Sequence, residues 1–332
     1  MIILITTLIL LVILVNGWTD APNAIAGCIC TRSMTPRAAL ILAAVCNFSG
    51  AVGMALISPR VAQTLYNIVD IGDGKAALSA IAAGLFAVVL WAVFAWRFGL
   101  PTSESHALIS GITGAALAKR MSLDAINTRE WSLVLLGLLA TTLPPFLLGY
   151  IFNISMRALV SRLSRRKTML YFFRAQRVSA AASALLHGAQ DSQKFLGIYM
   201  LALSLVGGAF PSGDGIPFFA VLTCAAVMTL GTMLGGARII KKVGCEMTEL
   251  DAAGGSASDA ASSVVLLVCS LLGIPASTTH SKACAMMGTG FCKRGGVRLS
   301  VAAQLFGAWI LTFPACAALG FIFFHILRLC FN

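Results

Sequence analysis

Charged side chains are scarce in this chain. Asp, Glu, Lys and Arg make up 11% of its 332 residues, and only 12 residues are acidic. A soluble domain carries about 25% charge, so a water-facing surface over the whole molecule is excluded. Aromatic residues are also few, at 8%, and histidine occurs four times. The ten cysteines contain no CxxC pair and no metal-ligand spacing. Neither a zinc site nor a disulfide framework is therefore expected, and cysteines in apolar runs, such as Cys46, Cys224 and Cys316, read as small buried residues.

What the chain has instead is apolar sequence, 58% of residues at a mean hydropathy of +0.90. A bilayer core of ~30 Å takes ~20 helical residues to cross. Runs suited to it fall near 1–30, 38–57, 81–98, 132–153, 178–209, 218–236, 259–272 and 300–329. The first run has no basic leader and continues into polar residues, so it is expected to stay in the mature fold. The expected class is an all-α polytopic membrane protein.

The formal net charge of +12 does not point to nucleic acid, because the basic residues lie between the apolar runs and are not interleaved with aromatics. They do report topology. With the N-terminus outside, the inner connections hold Arg32 and Arg37, seven basic residues from Arg157 to Arg177, then Arg238, Lys241 and Lys242, then Lys293, Arg294 and Arg298. That makes fifteen, against six outside (Arg60, Lys75, Lys119, Arg120, Arg129 and Arg328). The positive-inside rule therefore predicts an outside N-terminus, and the expected location is a bacterial-type plasma membrane.

Two motifs recur. "NGWTDAPNAIA" from Asn16 aligns with "HGAQDSQKFLG" from His187, and "GLPTSESHALISG" from Gly99 aligns with "GIPASTTHSKACA" from Gly273. The offsets, 171 and 174, nearly agree. An odd number of crossings between the copies turns the second over, so an inverted-topology repeat is expected, with broken helices and re-entrant helical hairpins. Its parts are a first repeat at 1–156, a basic cytoplasmic linker loop at 157–177 that contacts solvent and lipid headgroups, and a second repeat at 178–332.

Asn16, Asp20 and Asn23 are spaced by four and three, as are His187, Asp191 and Lys194. Each trio shares one helical face. A charge at the bilayer centre costs ~2.5–3.5 kcal/mol, so these acids must meet cations. Asp191 has Lys194 beside it. Asp20, with Asn16 and Asn23, requires a proton or Na⁺, and Asp20 and Asn23 are the candidate Na⁺ ligands. This asymmetry implies fewer mobile coupling ions than a symmetric site would hold.

Pro101 and Pro275 suit the first turn of a helix. Thr102, Ser103 and Ser105 in one copy, and Ser277, Thr278 and Thr279 in the other, then line two helix starts whose free N–H groups form a cage for a tetrahedral oxyanion. His106 and His280 stand on the next turn, able to donate to the anion or to pack structurally. Glu104 and Lys282 are candidates for balancing charge near the anion, Lys282 by attracting it and Glu104 by accepting a proton or pairing with Lys282. Lys194 is a further candidate anion contact.

These motifs resemble the inorganic phosphate transporter (PiT) family. "NGWTDAPNAIA" is similar to its NG-x-x-D-x-x-N signature, and "HGAQDSQKFLGI" to the bacterial HG-x-N-D-x-Q-K form. The likeness extends through "TRSMTPRAALILAAVCNFSGA", "GLPTSESHALISGITGAA", "GGARIIKKVG" and "GIPASTTHSKACAMMG". It implies import of orthophosphate with H⁺ or Na⁺, coupling at Asp20 and Asp191, arsenate as a competitor and no cofactor. A homodimer enters only through this resemblance. Thr19 and Gln190 depart from the usual Asn or His before each aspartate, which leaves the ion open, and Lys194 inclines it to H⁺. A sulfate permease is the alternative, set apart by sulfate having no proton to give a carboxylate. A hydrolase using Ser103 or Ser277 with His106 or His280 is disfavoured by the duplication, and an ion channel by the broken helices.

Overall fold

The computed structural model describes residues 2–206, 216–293 and 295–331. Residues 207–215, which include the end of the run expected at 178–209, lie outside the described residues, as do Met1, Arg294 and Asn332. In chain order the helices are α1 (Ile2–Thr19), α2 (Pro22–Cys30), α3 (Pro36–Ile57), α4 (Arg60–Tyr66), α5 (Lys75–Arg97), α6 (Glu104–Arg120), α7 (Thr128–Ala140), α8 (Leu143–Leu159), α9 (Arg165–Ser204), α10 (Phe218–Leu234), α11 (Ala237–Ile239, continued as a π-helix to Glu246), α12 (Ala252–Leu272), α13 (Thr278–Gly290) and α14 (Leu299–Phe331). No β-strand occurs among the described residues, only two isolated bridges. Among the described residues, six spans are long and apolar enough to cross a membrane, or seven if α10 and the segment Ala237–Glu246, bent by 62°, count as one. The remaining expected run, 178–209, falls in α9 as far as Ser204.

The packing is that of a protein dissolved in lipid. Large apolar side chains such as Ile41, Val45, Leu56, Leu139 and Ile310 face outward, while Asn16, Asp20, His187, Asp191 and Lys194 are buried. A solvent as apolar as leucine gives no reward for hiding leucine, but it penalises an exposed carboxylate severely.

The first polar motif breaks its helix and the second does not. α1 ends at Thr19, Asp20 and Ala21 turn, and α2 begins at Pro22. Proline has no N–H to continue the ladder and its ring clashes with the preceding turn. The second copy has Ser192 and Gln193 in that stretch, and α9 runs unbroken for 40 residues. The expectation of a break in both copies is thus corrected. At 1.5 Å per residue α9 is ~60 Å long, more than the bilayer core, and its first three turns consume most of the expected linker loop. Only residues 160–164 between α8 and α9 are non-helical, because Arg, Lys, Met, Leu, Gln and Ala favour helix.

α5 and α6 form one hairpin and α12 and α13 another. The bases of both are pinned alike: Val69 bridges Ile126 beside the first, and Thr248 bridges Val297 beside the second. Serine sets where the inner arms begin. Ser103 Oγ accepts from His106 N–H at 3.3 Å, and Ser277 Oγ from His280 N–H at 3.2 Å. Each serine is therefore an N-cap, and the prolines expected in the first helical turn lie two residues before it. Cys30 and Cys245 form a disulfide joining α2 to the π-helix. Spacing rules could not anticipate it, since the two are 215 residues apart.

Candidate functional site

The site forms where α1 and α2, α6, α9 and α13 meet. Asp20, in the α1–α2 turn, receives Asn23 Nδ2 at 2.7 Å and the hydroxyl of Thr279. Asp191, on α9, receives Lys194 Nζ at 2.6 Å and Asn16 Nδ2 at 3.2 Å, and His187 Nε2 stands 3.3 Å away. Thr278 Oγ lies 3.3 Å from Asp20 and 3.2 Å from Asp191, so one hydroxyl at the start of α13 stands between the two carboxylates. One ligand atom from each of Asp20, His187 and Asp191 lies within 4.8 Å of the other two, a spacing on which a small cation can sit.

The two hairpin tips meet here. The rings of His106 and His280 are 4.7 Å apart, edge to face. His280 stacks on Trp309 and His106 on Phe313, and no ring nitrogen of either histidine has a hydrogen-bond partner. Each tip has its own tether. Trp309 Nε1 donates to Pro101 O at 3.1 Å; Gln190 donates to Ile274 O at 3.3 Å and accepts from Ala276 N at 3.4 Å. Thr102, Ser103, Ser105, Ser277, Thr278 and Thr279 are all buried. The hydroxyls of Ser103 and Ser277 face backbone N–H groups and not an imidazole, so no Ser–His nucleophile pair is formed.

Two expectations about charge change. Lys282 forms a buried ion pair with Asp259 of α12, whereas Glu104 meets the hydroxyl of Thr19. The expected Glu104–Lys282 pair is not formed, because Lys282 lies four residues beyond Thr278 on the α13 face turned to α12. Lys194 has all three ammonium hydrogens engaged, by Asp191, Ser105 and Ala276 O.

Asp259, Asn47 and Thr19 complete the network; the sequence marks Thr19 only as a departure before Asp20 and assigns no role to Asp259 or Asn47. Asn47 Oδ1 is 3.1 Å from His187 Nδ1, and Asn47 Nδ2 donates to Thr232 at 3.0 Å. The signal for Asn47 is a polar residue in an apolar run, "AAVCNFSGA", and for Asp259 a single acid among small residues in "SASDAASSVVLL". Among the described residues, four buried carboxyl groups (Asp20, Glu104, Asp191 and Asp259) face two buried ammonium groups (Lys194 and Lys282). The deficit must be met by protons or bound cations, since unpaired charge in a membrane interior is costly.

Comparison with known proteins gives the family and the fold. The chain matches the phosphate transporter family over residues 16–173 and 160–320. It is 32% identical over 318 residues to a probable low-affinity inorganic phosphate transporter of Bacillus subtilis, covering 96% of this chain and 94% of that one. It is 35% identical over 308 residues to a protein of the same description from Rhizobium meliloti, covering 91% and 89%. A solved structure, the sodium-dependent phosphate transporter, superposes with a TM-score of 0.81 over 99% of both chains at 22% identity, which establishes the shared fold. The chain is therefore a multi-pass membrane protein belonging to the phosphate transporter family.

Proposed function

We propose that this protein imports inorganic phosphate by symport with a cation, H⁺ or Na⁺, holding the anion between the two Ser/Thr hairpin tips and the cation at Asp20 and Asp191. The observation that carries the reading is Thr278, whose hydroxyl stands within 3.3 Å of both carboxylates. A residue of the anion cage is thus in direct contact with the acids that hold the cation, so occupancy of one site alters the other. Reciprocal coupling of that kind is what symport requires. The excess of buried carboxyl groups supplies the need for the cation.

The transport cycle is alternating access between inverted repeats. In support stand the recurring motifs, the similarly pinned bases of the two hairpins and the burial of every site residue in one closed arrangement. The N-terminus is outside, by the excess of basic residues on the opposite connections. Glu104, beside Thr19, is the carboxyl placed to exchange a proton with the phosphate, and such an exchange discriminates against sulfate. Arsenate, protonated like phosphate, competes.

Uptake of radiolabelled phosphate into proteoliposomes under imposed pH or Na⁺ gradients tests the proposal. The expected result is gradient-driven accumulation, competed by arsenate, spared by sulfate and lost in Asp20→Asn and Asp191→Asn. Normal gradient-driven accumulation in both variants would remove the coupling role.

A further inference from the structure

The two copies of the polar motif place Asn23 and Lys194 in the same register, three residues after the aspartate. Asn23 uses its Nδ2 on Asp20 at 2.7 Å and on Thr279 at 3.2 Å, and its Oδ1 has no partner. The Oδ1 of Asn16 has none either. The Asp20 side therefore holds a carboxylate and the unpaired buried amide oxygen of Asn23, while Asn16, whose Nδ2 reaches Asp191 at 3.2 Å, leaves a second unpaired oxygen between the two acids; such oxygens call for a cation. The Asp191 side is different. Lys194, 0% exposed, puts Nζ 2.6 Å from Asp191 Oδ1, 2.6 Å from Ser105 Oγ and 2.5 Å from the carbonyl oxygen of Ala276.

These three acceptors are a carboxylate, a hydroxyl and a backbone carbonyl, the oxygen types that hard cations select. They come from three elements: α9, the first turn of α6 and the loop that leads to α13. An ammonium group with three hydrogens satisfies all three, and none remains for an anion. We infer that the Lys194 ammonium is a built-in cation, occupying the place of a mobile coupling ion at Asp191 and tying both hairpin tips to that carboxylate. The mobile cation is then confined to the Asp20 side, and each phosphate moves with one positive charge fewer than a site with asparagine at both positions would carry. This inference rests on the cation-coupled reading above. It also reassigns Lys194, which the sequence placed among the anion contacts.

The test is the charge moved per phosphate, obtained by combining electrogenic current with phosphate flux in proteoliposomes, for the wild type and for Lys194→Asn, which copies the first motif. Removing the ammonium leaves Asp191, Ser105 and Ala276 O facing a space that a small cation fills. The expected result is one additional positive charge per phosphate. Uptake should also acquire a second Na⁺ or H⁺ dependence, saturating as the ion passes about ten times its dissociation constant, where the added site is roughly nine-tenths filled. Relative to the wild type, the thermal stability of the purified variant should rise with NaCl but not with choline chloride where Na⁺ is the added ion, and with falling pH where it is H⁺. An active Lys194→Asn with unchanged charge per phosphate and only a raised KM for phosphate would make Lys194 an anion ligand and overturn the inference.

If Lys194→Asn is not recovered folded, the reciprocal Asn23→Lys decides. A second built-in ammonium beside Asp20 should abolish gradient-driven accumulation while phosphate–phosphate exchange persists. Unaltered coupling in that variant overturns the inference. Failure of the symport reading itself looks different, since the wild type would then equilibrate phosphate without responding to any cation gradient.

Discussion

The crossing of α3 and α9 decides whether the site can assemble, and one methyl group is enough to test it. The two helices touch at Gly50 and Gly188. A Cβ on Gly188 would lie 2.1 Å from Asn47 O and 2.7 Å from Asn47 C and Cα; one on Gly50 would lie 1.8 Å from Leu185 O. These are backbone atoms, so no rotamer change relieves the clash. An ordinary C···O contact is about 3.3 Å, so Gly188→Ala must part the helices by about 1.2 Å. The same movement stretches the adjacent His187–Asn47 contact, now 3.1 Å, beyond hydrogen-bond range. Overpacking of this kind costs up to ~3 kcal/mol, and replacing glycine in a helix returns ~1 kcal/mol, leaving a net loss of about 2 kcal/mol. Gly53, one turn along α3, has nothing within 4 Å of its would-be Cβ, so Gly53→Ala should stabilise by up to ~1 kcal/mol. Thermal unfolding in detergent and phosphate uptake in proteoliposomes should rank the three proteins Gly53→Ala, wild type, Gly188→Ala. Equal stability and equal uptake for the two variants would refute the argument that this crossing carries the site.

Further outcomes follow from the same contacts. Lys282→Met strands Asp259 in the membrane interior and should cost ~3–5 kcal/mol, while the double change Asp259→Leu with Lys282→Met should recover most of it; denaturation of the three variants checks this, and a double variant no better than the single would contradict it. At the helix ends, Ser103→Ala and Ser277→Ala should each lose ~1 kcal/mol and the glycine variants only a few tenths, measured by melting. Asp251, which caps α12, is pushed up by burial, but hydrogen bonds from Arg157 and Gly254 N–H and the charges of Arg157 and Lys293 bring it down to about 2. A folded value below the ordinary 3.8 means that this stabilisation is present above pH ~4 and is lost as the pH falls towards 2. The Asp251 side chain is 43% exposed, so after solvent screening the effect is ~1 kcal/mol, and Asp251→Asn should flatten the melting profile across that window.

Much of the architecture is legible in the chain because a membrane interior imposes a simple rule on composition. Runs of some twenty apolar residues span the bilayer, and polar residues inside them must point inward. That rule, with the recurrence of the motif, picks out Asp20, Asp191 and the Ser/Thr tips without coordinates. It does not reach the charge partners. Glu104 and Lys282 lie near corresponding hairpin tips, three and seven residues after their prolines, and invite pairing, yet Lys282 turns to Asp259 because α13 packs along α12, and no spacing encodes which helix lies alongside.

The roles of Asn47 and of the Cys30–Cys245 disulfide are not encoded locally, for the same reason. Each is a solitary residue whose meaning comes from a neighbour more than a hundred positions away. Proline 22 is the opposite case. It breaks the first polar helix by local covalent chemistry alone, and its absence from the second copy lets α9 run through.

The order of residues by itself determined the membrane class, the two motifs and the positions of helix starts and breaks, because these depend on hydropathy, proline and capping chemistry within a few residues. Only the tertiary structure decided which charges meet: Thr278 standing between Asp20 and Asp191, Lys194 grasping both hairpin tips, and Asp259 taking Lys282. The physical reason is that electrostatic and hydrogen-bond energies depend on distances in space, and those are set by how helices cross and not by how far apart residues stand along the chain.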